Sequence, residues 1–225
     1  MLPARLLLAR KFSFIRSVFM PVHGDPVARR SFLRSISLAA SAPIFSIAND
    51  ALAMNKDTAN AAHTAVDAER MRALAAWTMK TMETPNPVPY GAEIFGTNDG
   101  KSLMRAANAV RAEHDPSAHG EIHTIRLACQ KLQSASLRGY TLYTTCEPCP
   151  MCMACCLWAG LDRVVYGATI ADAAKYGHQI LIPAAEVAKR TDMHCVVNGP
   201  VAREACLPLF TNPTMQKVFA QWKKG

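Results

Sequence analysis

Two short stretches bring together residue types that can do chemistry. One is Asp115-Pro116-Ser117-Ala118-His119-Gly120-Glu121, and the other is Thr144-Thr145-Cys146-Glu147-Pro148-Cys149-Pro150-Met151-Cys152. Together they supply one imidazole and two thiolates, His119, Cys149 and Cys152, a nitrogen and sulfur set that suits Zn2+ at one ion per chain. Three protein ligands leave a fourth position open, and an open position marks a catalytic rather than a structural zinc site. Glu121 is then no ligand. It is the general base and acid beside a water whose pKa the metal lowers towards about 7.

Other chemistry is open to the same residues taken singly. A Cys-x-x-Cys pair alone also serves redox exchange or half of a structural zinc site, with Cys146 near enough to be a fourth ligand. A lone His119 is an ordinary core histidine. The joint pattern favours catalysis, because a structural site has no need of His-x-Glu at a separate helix start.

The elements that must position these groups are read from their flanks. Asp115 as N-cap and Pro116 at the first helical position predict a helix with His119 and Glu121 in its first turns. Pro148 predicts a second helix start that puts Cys149 and Cys152 three apart on one face. Upstream, 58–82 has the period of an amphipathic helix, with Ala68, Met71, Leu74, Ala75, Met79 and Met82 on the apolar side. Tyr90 to Phe95 and Leu103 to Ala106 read as strands around an Asn98-Asp99-Gly100 turn. The first ligand-bearing helix continues to about Gln133, and Tyr140 to Thr145 is the next strand.

The second ligand-bearing helix covers about Cys149 to Ala159, followed by a strand at Arg163 to Tyr166. A short helix is expected at each end of 171–189, and a fifth strand at His194 to Val197. Two helical stretches close the chain, Ala202–Leu207 and Met215–Trp222, divided by Asn212-Pro213. The order β-β-α-β-α-β predicts an α/β fold, a three-layer α/β/α sandwich on a mixed five-stranded sheet, with the ligands at the starts of two adjacent helices.

The charge is unevenly placed. Residues 1–53 hold seven Lys/Arg and two acids, a net of +5 within the chain's +8, which leaves +3 for 54–225. That mild charge and the absence of a polybasic run beyond Lys223-Lys224 argue against nucleic acid as a partner. Within 1–53, Ala28-Arg29-Arg30-Ser31-Phe32-Leu33-Arg34, an apolar run from Ile36 to Ala48 and Ala51-Leu52-Ala53 match the order of a twin-arginine export signal with its cleavage site. The apolar run is too short to span a membrane. The expectation is a signal region at 1–53, with Met20 as a plausible true start, and a domain at 54–225 exported by the twin-arginine machinery to the periplasm. Export of a folded chain would protect eight cysteines (Cys129, Cys146, Cys149, Cys152, Cys155, Cys156, Cys195 and Cys206) from an oxidising space.

On the motifs at 115–121 and 146–152, the chain resembles the cytidine deaminase-like superfamily, in the branch of guanine deaminases and tRNA adenosine deaminases. The likeness spans about Pro89 to Ala174 and becomes loose after it. It implies a zinc-dependent hydrolytic deaminase of a purine or pyrimidine base or nucleoside, releasing ammonia and working as a homo-oligomer, commonly a dimer. It also implies substrate contacts. Asn108, eleven residues before His119, matches an Asn that hydrogen-bonds the substrate. Gly120 stands where the usual residue is Ala and keeps the backbone amide that faces the ring. Tyr90 matches an aromatic that packs on the base, and Trp158 a Trp on the pocket side.

Two departures concern the ring itself. Ile180 stands where guanine deaminases carry an acid that reads guanine, and the tail after Phe210 has no clear counterpart of their substrate-covering end. The ring stays open among guanine, cytosine, adenine, their nucleosides and modified or pterin-like heterocycles. A tRNA adenosine deaminase-type editing enzyme and a non-catalytic zinc-binding module remain as alternatives.

Overall fold

A computed structural model of the chain describes residues 65–222. The export-signal stretch and the first residues of the expected 58–82 helix lie outside them. Helix α1 occupies 65–79 of the described residues and tightens into a 3-10 turn, Lys80–Glu83. The elements that follow are β1 (Gly91–Gly96), β2 (Ser102–Ala107), α2 (Val110–Glu113), α3 (Gly120–Leu132), β3 (Tyr140–Cys146) and α4 (Pro150–Trp158). Then come β4 (Arg163–Ala168), α5 (Ile170–Ala173), α6 (Ala184–Lys189), β5 (Val196–Asn198), α7 (Arg203–Thr211) and α8 (Pro213–Trp222). Among the described residues no helix is long and apolar enough to cross a membrane.

The five strands form one mixed sheet in the order β2-β1-β3-β4-β5. β1 is antiparallel to both β2 and β3, while β3-β4 and β4-β5 are parallel. Alternation along the strands gives the sheet two apolar faces. Leu142 and Val164 point to the layer of α3 and α4, with Ile125, Met153 and Cys156. Tyr143 and Val165 point to the opposite layer of α1, α7 and α8, with Met71, Leu74, Leu209, Phe210 and Phe219. The three-layer sandwich expected from the element order is the observed architecture.

The topology brings the chemistry to one end of the sheet. The register pairs Gly91 with Ala107 and Ala92 with Thr144, so the start of β1 and the end of β2 sit beside the end of β3. Tyr90, Asn108 and Cys146 therefore converge there, and α4 and α5 start from the C-terminal ends of β3 and β4. Crevices outside the carboxyl ends of strands, where the chain order reverses, are the usual ligand sites of such sheets.

Three expectations about elements need correction. The fifth strand begins two residues later than expected, at Val196. The seventh helix runs through Pro208 instead of stopping before it. Pro inside a helix costs about 3 kcal/mol, but continuing the helix buries Leu209 and Phe210 completely, each worth about 1.5–3 kcal/mol. The ligand-bearing helices also start later than their flanking prolines suggested, with consequences for the site.

Candidate metal centre and active site

His119 is the N-cap of α3, in extended backbone, and the helix begins at Gly120 rather than at Pro116. The reason is local. Asp115 Oδ1 accepts hydrogen bonds from Ser117 N (2.8 Å) and Oγ (2.6 Å), so the side chain closes a turn of its own instead of capping a helix. Those bonds, with Arg126, hold the Asp115 carboxyl down to about 2. Cys149 is likewise an N-cap, and the proline that starts α4 is Pro150 rather than Pro148. Both first ligands therefore sit on the last extended residue before a helix, and Cys152 reaches back from the first turn of α4.

The result is a compact nitrogen and sulfur triad. His119 Nδ1 is 3.8 Å from Cys149 Sγ and 3.5 Å from Cys152 Sγ, and the two sulfurs are 3.6 Å apart. Tetrahedral zinc with ordinary Zn–S and Zn–N bonds needs S···S near ~3.8 Å and S···N near ~3.6 Å, so the residues fit the ion. Among the described residues, these three are the group of His, Cys, Asp and Glu close enough to hold a metal. Cys146, a possible fourth ligand, is not part of it. Its buried thiol points to the Thr169 carbonyl at 3.9 Å, and burial pushes its pKa well above the usual thiol value. Of the ligand thiols, Cys149 is pulled down to about 4, chiefly by its hydrogen bond with Cys152, whose own thiol is pushed up. Zinc binds cysteine as thiolate, so metal loading would release thiol protons.

Glu121 follows two residues after His119 and is buried. Burial raises its carboxyl above the ordinary range, which favours a group that holds a proton and hands it on. The His119 imidazole is raised by its hydrogen bond to Cys149. His119, Cys149 and Glu121 line a cavity of about 630 Å³, within the size range of small-molecule sites, while Cys152 is fully buried and off its wall. Tyr90, Asn108, Val110, Arg111, Cys146, Glu147, Met151, Gly177, His178, Gln179, Ile180 and Trp222 complete its lining.

Of the residues expected at the substrate, Tyr90 and Asn108 face this cavity. Asn108 Oδ1 accepts the Val110 amide at 3.2 Å, which leaves its NH2 group as a donor for a ligand. Tyr90 packs edge-on against Phe210, with ring centroids 5.7 Å apart, and its hydroxyl accepts from Gln179 Nε2 at 3.4 Å. It joins core to cavity, and burial raises its phenol above the usual range.

Gly120 is buried behind the wall, against the backbone of Tyr90. A Cβ there would lie 3.0 Å from the Tyr90 carbonyl oxygen and 3.3 Å from its carbon, so the resemblance's usual Ala does not fit without a backbone shift. Gly120→Ala is expected to cost about 1–3 kcal/mol, read as a lowered midpoint in denaturant with zinc content unchanged. A variant as stable as the parent would show that the Tyr90 segment yields freely.

Trp158 is not on the cavity. It is 79% exposed at the last residue of α4, about 13 Å along the helix from Cys149 and about 120° around from Cys152. It borders a separate groove with Leu157, Leu181, Ile182, Pro183 and Val187. Several lining residues were given no role from the sequence, among them Arg111, Glu147, His178, Gln179 and Trp222. Trp222 continues the Met215, Val218, Phe219 stripe of α8 at the next helical step, a periodicity that could have pointed inward to it. Glu147 lies in the ligand loop and stands in the sequence only as part of the cysteine motif, while Gln179 carries no such signal, since only the folding of 174–183 brings it to the wall.

Fold and site thus define a mixed-sheet α/β domain with a three-ligand, zinc-competent centre beside a buried carboxyl. Residues 53–168, just over half of the chain, match the family model of the cytidine and deoxycytidylate deaminase zinc-binding region, and the chain belongs to that family. A guanine deaminase of Bacillus subtilis (strain 168) is 43% identical over 89 residues, 40% of this chain and 56% of the relative. A tRNA-specific adenosine deaminase of Agrobacterium fabrum is 43% identical over 81 residues, 36% of this chain and 52% of the relative. The chain spans about half the length of the curated relatives it matches.

Among solved structures, one from a study of A-to-I editing by tRNA:A34 deaminases is 28% identical, with a TM-score of 0.53 over 63% of this chain and 99% of that one. A guanine deaminase from Nitrosomonas europaea gives a TM-score of 0.57 at 22% identity, over 64% of this chain and 82% of that one, a likeness of fold.

Proposed function

We propose that the protein is a zinc-dependent hydrolytic deaminase of a free nucleobase or nucleoside, guanine deaminase-like, releasing ammonia. The observation that carries this reading is the triad His119, Cys149 and Cys152 at metal-binding spacing, with His119, Cys149 and the buried Glu121 lining one small-molecule-sized cavity. When bound, zinc supplies the Lewis acidity that makes water nucleophilic near neutral pH. Glu121 takes one proton from the attacking water and delivers it to the ring nitrogen, then takes the remaining hydroxyl proton of the adduct and delivers it to the departing amino group. A C–O bond forms from water and the C–N bond breaks, so substrate and one water become the carbonyl product and one ammonia. Asn108 donates to an acceptor on the ring edge, and Tyr90 and Trp222 supply aromatic walls for a planar heterocycle.

The test is ammonia release by the zinc-loaded chain across free bases and their nucleosides. Turnover of one ring identifies the substrate class, whereas silence across the panel with one zinc bound sinks the reading in favour of a non-catalytic module. The editing alternative rests on the identity to tRNA-specific relatives and predicts salt-dependent binding of RNA.

A homodimer is part of the same proposal. Trp158, Leu181 and Ile182 are 79%, 69% and 44% exposed along one groove, an apolar surface unusual for a lone chain. Trp158→Glu is expected to shift the mass in light scattering from dimer to monomer; an unchanged dimer would remove this groove as its interface. Export by the twin-arginine route is also proposed, from Ala28–Arg34 of the sequence. Finding the protein in the cytoplasmic fraction alone would overturn it.

A further inference from the structure

Glu147 stands between the end of β3 and the ligand Cys149, at the cavity wall. It belongs neither to the metal-binding group nor to an ion pair among the described residues. Its two oxygens accept from two distant amides: Oε2 from Ile170 N at 3.1 Å, and Oε1 from Ala184 N at 3.0 Å. Those amides open α5 and α6. Between them, 174–183 contributes Gly177, His178, Gln179 and Ile180 to the cavity wall. One carboxylate thus grips both roots of this segment from the loop that carries a metal ligand.

The two roots are not equally secured. Around Ile170, the Thr169 and Asp172 capping box closes the turn, and buried Asp172 is bound by Arg203 at 2.7 and 2.5 Å. Arg203 and its other partners hold the Asp172 carboxyl well below the usual range. Ala184 is buried among apolar side chains, and its polar tie to the ligand loop is Glu147. Beyond the apolar packing of α6 on α4 and the Gln179–Tyr90 bond, Glu147 is the side chain that joins both ends of the segment to the Cys149 loop.

We propose that Glu147 is a positioning residue that ties segment 174–183 to the Cys149 loop, holding Gln179 and Ile180 at a fixed distance from the metal-ligand triad so that they select the ring. Its substrate side rests on the deaminase reading; its mechanical side does not. Gln179 and Asn108 present neutral amides to the cavity, which suits an uncharged heterocycle carrying both hydrogen-bond donors and acceptors.

The test compares Glu147→Gln and Glu147→Ala in the full zinc-loaded chain. Losing the charge-assisted bonds is expected to speed amide hydrogen exchange across 170–184 by about tenfold or more in the Ala variant and less in the Gln variant. Exchange in α3 and the zinc content of one per chain stay unchanged. With guanine, or the ring the parent turns over best, KM rises about tenfold while kcat stays within about threefold. Gln179→Ala then raises KM less in the Glu147→Ala background than in the parent.

Unaltered exchange across 170–184, or loss of zinc, overturns the proposal, as does a fall in kcat with KM unmoved. If the parent turns over no ring, the deaminase reading fails, and the exchange measurement still decides whether Glu147 is the tie.

Discussion

Glu121→Gln lowers kcat by about 10²–10⁴-fold while one zinc per chain is retained. The substitution keeps the shape of a buried side chain and removes its ability to take up and release a proton. Glutamine matches the buried glutamate in size and keeps hydrogen-bonding capacity, so the fold is expected to be preserved. His119, Cys149 and Cys152 meet one another without Glu121, so metal content stays apart from the loss of turnover. Steady-state ammonia release with metal analysis of the same samples is the measurement. A variant within about threefold of the parent would remove Glu121 from the chemistry, and a variant that loses zinc would make it a structural support of the triad.

Asp67→Ala is the largest expected effect on stability, about 3–5 kcal/mol. Asp67 is a buried carboxylate of α1 that accepts from the Tyr143 hydroxyl at 2.6 Å and from both terminal nitrogens of Arg163. The pair joins α1 to β3 and β4, across the sheet face opposite the metal site. Alanine leaves the half-buried guanidinium without its counter-charge, although Asn198 still accepts from Arg163 Nε at 2.7 Å and Arg70 still donates to Tyr143 at 3.2 Å. These remaining bonds favour the lower end of the range. Urea unfolding measures the loss, with zinc content and kcat of the folded fraction expected to stay at parent values. A loss under about 1 kcal/mol would show that α1 is held by its apolar contacts alone.

Much of the fold was legible because its signals are local and periodic. Strand β3 announced itself by a β-branched and aromatic run, β1 and β2 by the turn between them, and the apolar stripe of α1 marked the side that turns inward. The turn at Asn98-Asp99-Gly100 was readable because Gly100 takes a left-handed φ of 65°. Boundaries were harder. Asp115-Pro116 and Pro148 carry the right residue types for helix starts, but Asp115 spends its oxygen on Ser117, and the helix begins at Gly120. Pro208 looked like a stop until the burial of Leu209 and Phe210 outweighed it.

At the site, the sequence by itself determined the chemistry: a nitrogen and two sulfurs for the metal, and a carboxyl two residues from the imidazole. Residue type and spacing suffice for that, because donor atoms and proton carriers are properties of single side chains. The tertiary structure alone decided the surroundings. It placed Trp158 on the outside, since six residues past Cys152 a helix has turned away, and it brought Trp222 in from the far end of the chain. It also gave Glu147 two partners 23 and 37 residues away. Contacts at such separations depend on how the layers pack, and no local pattern in the sequence encodes them.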